Sequence, residues 1–275
     1  MQLPLYWIDA FASAPFTGNP AAVVPLTQWL PDRTLQQIAF ENGLAETAFI
    51  VPVATAAPAR QPRFHLRWFT PAVEVDLCGH ATLATGHVIL RELRPEAESV
   101  AFDSRSGVLE VTRRGEQLEL SFPITPVSPE TDAGVAAAVA RALGGAPAWL
   151  GRSCFDRFAV LPTAETVRTL RPDFAAVAAA GGRGLIVTAP GDGTCDFVSR
   201  FFAPQAGIPE DPVTGSAHCA LAPYWAERLG RNRLHARQLS PRGGELWCEV
   251  APELNRVRIA GATRLYLRGE INLPG

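Results

Sequence analysis

The chain has 275 residues, 47% hydrophobic and 19% charged, with a formal net charge of −2; that mix and length suit two globular lobes or one large domain. Its arginines are scattered with no basic stripe, which excludes the usual footprint of a nucleic-acid partner, and no stretch of about 18 residues is free of charges and breakers, which excludes a membrane helix. The opening Met1–Leu5 lacks a basic segment and soon meets Asp9, so no secretory leader is expected.

Leu5–Phe11 alternates and predicts a strand. Phe16-Thr17-Gly18-Asn19-Pro20 is a turn, and Ala21–Val24 predicts the return strand of a hairpin. Pro31-Asp32-Arg33 opens a helix through about Asn42, with Leu35, Ile38 and Ala39 on one face and Gly43 as the stop. Glu46 leads into a strand over Thr47–Val51, and Arg63–Phe69 predicts another. From Gly79 to Leu90 the residues are small or apolar, which predicts a helix with almost no polar face, buried and open to close approach by its neighbours. Val108–Val111 and Leu118–Phe122 alternate as strands.

The pattern then restarts. Arg157–Leu161 predicts a strand, Arg171–Ala180 a helix, and Gly184–Thr188 and Asp196–Phe202 two more strands. Asp211-Pro212-Val213-Thr214-Gly215-Ser216 leads into a second apolar helix, Ala217–Trp225, and strand-like pieces run on to Arg264–Leu267. Arg67-Trp68-Phe69-Thr70-Pro71 matches Arg200-Phe201-Phe202-Ala203-Pro204. Gly79 follows the first match by eight residues and Gly215 the second by eleven. The same order of elements thus occurs twice, which points to a duplicated lobe.

Composition narrows the chemistry. The chain has no lysine, which excludes a pyridoxal-phosphate or Schiff-base enzyme and a Walker A motif. Cys78, Cys154, Cys195, Cys219 and Cys248 are odd in number and widely spaced, which suits a reducing compartment rather than a disulfide framework. His65, His80, His87, His218 and His235 show no metal-ligand spacing, so no metal is expected.

A glycine at a helix start lets a ligand approach backbone N–H groups that have no intrahelical partner, where the helix dipole favours negative charge. Taken singly, Gly79 and Gly215 read as tight turns; their shared context reads as a pair of anion-binding helix starts. Glu46 lies among Gly43-Leu44-Ala45 and Thr47-Ala48-Phe49, where desolvation would raise its pKa and suit acid/base work. It reads equally as a solvated strand-end carboxylate. His80 directly follows Gly79, and Asp211 precedes Gly215. By themselves a lone core histidine and an aspartate before proline are structural.

Asp9-Ala10-Phe11, Phe16–Val23, Glu46-Thr47-Ala48-Phe49, Phe69-Thr70-Pro71, Cys78-Gly79-His80-Ala81-Thr82 and Asp211–His218, in that order, resemble the signatures of the PhzF-like proteins of phenazine biosynthesis. The resemblance implies the α/β diaminopimelate-epimerase-like fold: two pseudo-symmetric lobes, each a mixed sheet wrapped around a central helix, with the active site between them. The lobes would be 1–118, joined by a C-terminal strand in 263–275, and 119–262. It also implies a cytoplasmic homodimer that needs no cofactor and isomerises a small carboxylate-bearing substrate. By the same resemblance Glu46 is the catalytic acid/base, and Gly79, His80, Asp211, Gly215 and Ser216 bind substrate.

The parent epimerases place one cysteine at each helix start. Here those places hold Cys78 and Thr214, and a threonine hydroxyl is far too weak an acid to replace a thiol. That favours one carboxylate which takes a proton and returns it elsewhere. An enzyme using Cys78, or a member that binds a small anion or a protein without chemistry, are the alternatives. Ala45 stands where family members often have serine, so phenazine precursors do not follow as the substrate.

Overall fold

The structure is a computed structural model, described for residues 1–54 and 61–273. The chain divides into two compact units, Met1–Ser121 with Ala260–Gly275, and Phe122–Ile259.

In the first unit, β1 (Gln2–Ala10) and β2 (Asn19–Pro25) form the expected hairpin, and α1 (Asp32–Asn42) ends at Gly43. β3 (Glu46–Pro52), β4 (Arg63–Phe69) and the short β5 (Glu74–Val75) lead to α2 (Gly79–His87). β6 (Ser99–Ser104), β7 (Gly107–Arg114) and β8 (Gln117–Pro123) follow. β1 runs antiparallel to β2, β2 parallel to β3, β3 antiparallel to β4, β4 parallel to β6, and β6–β7 and β7–β8 are antiparallel. Each parallel step is crossed by a helix, as such a connection requires. Val24 of β2 and Phe49 of β3 share a core with Leu35, Ile38 and Ala39 of α1, while α2 packs on the same strands as well as on β1 and β7. Covered on both faces, β2 and β3 therefore lack a clean alternation of apolar and polar residues.

The run from Gly79 was expected to be one helix to Leu90. The α-helix ends at His87, and Val88–Leu93 widens into a π-helical turn that closes with Arg94 N–H donating to Ile89 O at 2.7 Å. The small residues of α2 are needed for contact: a Cβ on Gly86 would stand 2.5 Å from Val111 Cγ1 of β7.

The second unit holds β9 (Ser128–Pro129), α3 (Ala133–Leu143), β10 (Trp149–Arg152), β11 (Arg157–Val160), α4 (Ala164–Thr169), α5 (Phe174–Ala179), β12 (Leu185–Pro190), β13 (Phe197–Phe202), α6 (Gly215–Leu229), β14 (Arg233–Gln238), β15 (Gly244–Ala251) and β16 (Arg256–Gly261). The helix expected over 171–180 is a correction. α4 ends before Leu170, and α5 starts afresh with the Asp173 carboxylate accepting from Ala175 and Ala176 N–H. Pro172 disfavours helical backbone at Arg171, so the chain needs a new cap. α3, capped by Asp132, and β6 had not been anticipated.

β17 (Thr263–Asn272) closes the chain in the first unit, antiparallel to β1. Of the expected returning segment 263–275, the last two residues lie outside the described residues. From β17 onward the first unit pairs antiparallel, antiparallel, parallel, antiparallel, parallel, antiparallel. From β9 onward the second unit repeats that order. In its core, Tyr224 and Trp225 of α6 meet Phe158 of β11 and Phe197 of β13 at 4.9 and 6.0 Å between ring centroids, and Trp225 Nε1 donates to Thr188 Oγ1 of β12 at 3.0 Å. Each unit is thus a mixed sheet around a central helix, α2 or α6, in one repeated α/β plan. Among the described residues no helix is long and apolar enough to cross a membrane.

Candidate active site

In the first unit three elements bring polar groups together. Gly18 turns the β1–β2 loop at φ 78°, where a Cβ would stand 2.3 Å from Ala10 O, so only glycine fits. That turn delivers Asn19, fully buried, to the first position of β2. Glu46 opens β3 beside Ala21 of β2, and His80 is the second residue of α2. His80 Nε2 lies 3.1 Å from the Glu46 carboxylate, with side-chain exposures of 7% and 14%. The Asn19 amide lies 3.2 Å from Nδ1 on the other side of the ring, and Cys78 Sγ lies 3.5 Å from the same nitrogen. Which end of the amide faces Nδ1 follows the ring: the amide nitrogen faces a neutral imidazole, the oxygen an imidazolium.

Burial works against charge on His80, but its interactions with Cys78 and Glu46 outweigh that and hold the imidazole well above the usual histidine range. Burial first, and then the Glu46 carboxylate, push the Cys78 thiol up. Near neutral pH the thiol therefore keeps its proton. No side chain caps the start of α2 at Cys78, so the first-turn N–H groups around Gly79 and His80 remain available to an anion.

Glu46, Cys78 and His80 each offer one ligand atom, all within 4.8 Å of one another, and form the described cluster that could hold a metal ion. Histidine spacing had not suggested it. A cation there would have to displace the protons on His80 and Cys78.

In the second unit Gly215 opens α6, again without a side-chain cap. Asp211 braces the loop before it: its carboxylate accepts from Thr214 Oγ1 at 2.5 Å. Gln238 accepts from Thr214 N–H at 2.9 Å and donates to Asp211 O at 2.8 Å, and Ser240 Oγ donates to Pro212 O at 2.7 Å. Ser216 is half-buried at the second position of the helix. His218, one turn on, donates from Nδ1 to Thr214 O at 2.9 Å and is fully buried.

The two helix starts share a device that the sequence reading missed. Arg67 donates from Nε and Nη2 to the two oxygens of Glu74, at 2.7 and 2.9 Å. Arg200 does the same to Glu210, at 2.7 and 2.8 Å. Each guanidinium also lies over the phenyl ring two residues on, Phe69 at 5.1 Å and Phe202 at 4.8 Å. Glu74 stands five residues before Gly79, and Glu210 five before Gly215. Each clamp therefore ties the loop that sets a helix start to a core strand, and the paired E-x4-G spacing was the signal that could have revealed it. Arg67 beside Glu74 holds that carboxyl below the usual range, against the effect of burial.

The family model for phenazine biosynthesis-like proteins, PhzC-PhzF, matches residues 8–269. A Pseudomonas aeruginosa protein named uncharacterized isomerase is 49% identical over 99% of this chain and 100% of its own. The crystal structure of a phenazine biosynthesis PhzF-family protein from Enterococcus faecalis superposes with a TM-score of 0.88 at 45% identity, over 99% of this chain and 100% of that one. A hydroxyproline epimerase from Agrobacterium vitis shares the fold alone, with a TM-score of 0.57 at 11% identity over 98% of this chain and 92% of that one. A match over nearly the whole length means that the chain belongs to the phenazine biosynthesis-like PhzC-PhzF family and is an isomerase-type enzyme.

Proposed function

We propose that the chain is a cofactor-independent isomerase that moves a proton on a small carboxylate substrate, with Glu46 as its one acid/base. The observation that carries this reading is the Glu46–His80 pair at 3.1 Å beside the uncapped start of α2. Glu46 takes a proton from a carbon next to the substrate's electron-withdrawing group: a C–H bond breaks and an O–H bond forms. It then delivers a proton to another carbon of the conjugated system, after its carboxyl O–H has exchanged with solvent. The N–H groups around Gly79 and His80, with the His80 imidazolium, stabilise the negative charge that develops between the two steps. In the second unit, the N–H groups at Gly215 and Ser216 bind a substrate carboxylate, and Asp211 keeps their loop in place. Cytoplasmic residence belongs to the same proposal.

The test is solvent exchange. Small amino and unsaturated carboxylic acids are incubated in deuterated water with wild type and with Glu46→Gln, and deuterium incorporation is followed by NMR. Wild type incorporates deuterium at carbon and Glu46→Gln does not; equal exchange by both proteins removes Glu46 from the mechanism.

A further inference from the structure

The second unit holds a cavity of about 420 Å³ beside the β10–β11 turn, within the size range of small-molecule sites. Its lining includes Ser128, Arg152, Cys154, Phe155, Asp156 and Arg157. Arg152 stands directly opposite Ser128 of β9 on one side and Arg157 of β11 on the other, so the three form a row across one face of the sheet. Phe158 meets Tyr224 of α6 at 4.9 Å between ring centroids, and its neighbour Arg157 points the other way, donating from Nε to Ala180 O at the end of α5 at 3.0 Å. The row therefore lies on the face of the sheet turned from α6. The turn beside it is tightly braced. Ser153 Oγ accepts from Phe155 and Asp156 N–H at 3.2 and 2.9 Å, and Arg183 N–H donates to Phe155 O at 2.7 Å.

Like charges directly opposite one another destabilise a strand pair, so Arg152 beside Arg157 calls for compensation. The carboxylates nearby are committed elsewhere. Glu130, its side chain 1% exposed, accepts from Arg157 Nη1 at 2.8 Å and from the N–H groups of Thr131 and Asp132. Asp156 accepts from Arg183 Nε and Nη2 at 2.9 and 2.6 Å. Among the described residues the Arg152 guanidinium has no ion pair or hydrogen bond. Three guanidiniums thus meet two carboxylates, and the uncompensated one lines the cavity. A local rule broken in this way marks a place where a ligand completes the balance. An oxyanion between Arg152 and Arg157 removes the repulsion, and the planar forks of two guanidiniums match a phosphate or carboxylate group. The Ser128 hydroxyl, next in the row, is a further donor.

We propose that this cavity binds a small molecule through an oxyanion, a phosphate or a carboxylate, held by Arg152 and Arg157. Cys154 serves as the reporter, because it is exposed in the turn while the other four cysteines are buried. The full chain is treated with dithiodipyridine, an uncharged disulfide, at matched ionic strength without added anion, with inorganic phosphate, or with malonate. The Cys154 thiolate attacks the disulfide and releases thiopyridone, which is followed by absorbance. An anion at ten times its Kd slows this reaction of wild type about tenfold, and stronger protection by phosphate or by malonate identifies the group the site takes. Arg152→Gln, folded by circular dichroism, reacts at one rate with and without either anion. Glu46→Gln keeps the protection, which separates this cavity from the proposed active site. A wild-type Cys154 that neither anion protects overturns the proposal, as does equal protection in Arg152→Gln or its loss in Glu46→Gln.

Discussion

Replacing Glu210 by glutamine should cost more stability than the matching change at Glu74, although both carboxylates make the same bidentate pair. Arg200 is 8% exposed and Glu210 13%. The remaining guanidinium contacts are carbonyls, Val167 O at 3.2 Å and Leu170 O at 2.7 Å, so Glu210 is its counter-charge. Glu210→Gln keeps the volume and one acceptor but leaves a buried cation without a partner charge, which costs about 3 kcal/mol. Arg67 is 19% exposed and also donates to Asp32 at 2.9 Å, a residue that is 76% exposed. Glu74→Gln leaves that second carboxylate in place, so its cost is about 1–2 kcal/mol. The assay is urea unfolding of both variants followed by far-ultraviolet circular dichroism, with thermal melting as a check; the Glu210 variant should melt on the order of 5–10 °C below wild type. A Glu74→Gln variant that loses as much as Glu210→Gln, or a Glu210→Gln variant that loses under about 1 kcal/mol, would refute the assignment of the second clamp as a buried, singly compensated charge.

Two further outcomes are expected. Burial, opposed by the Thr214 carbonyl, lowers His218 to about 4, and burial together with Arg91 lowers His87 to about 4. The unfolded chain takes up these protons near pH 6.5 and the folded chain only near 4, so stability falls as pH drops through that window, by about 3 kcal/mol per histidine. His218→Asn retains an N–H for Thr214 O and should roughly halve the slope of stability against pH there; denaturant titrations with an unchanged slope would count against a neutral His218. For Cys78, whose thiol keeps its proton near neutral pH, Cys78→Ala should still exchange deuterium at carbon in the NMR assay. Abolished exchange in a folded Cys78→Ala protein would move the chemistry from Glu46 to the thiol.

Much of the site was legible one residue at a time. Glu46 at a strand start, His80 after Gly79, and Gly215 opening a second apolar helix stand where the pattern placed them. Asn19 was read only as part of a turn, because nothing near it in the chain says that it meets a histidine 61 residues away. The Arg67–Glu74 and Arg200–Glu210 clamps escaped for a different reason. Arginine and glutamate in a loop ordinarily describe a solvated surface, and only packing reveals that these four are withdrawn from water.

The sequence by itself determined the α/β plan, its duplication and the two buried helices, because strand alternation, small-residue runs and turn chemistry act between neighbours in the chain. Tertiary structure decided the electrostatics. The same glutamate could have faced solvent; bringing β3 beside α2 sets its carboxylate 3.1 Å from a buried imidazole. Removal from water makes that pair matter, since charges attract strongly only where water no longer screens them.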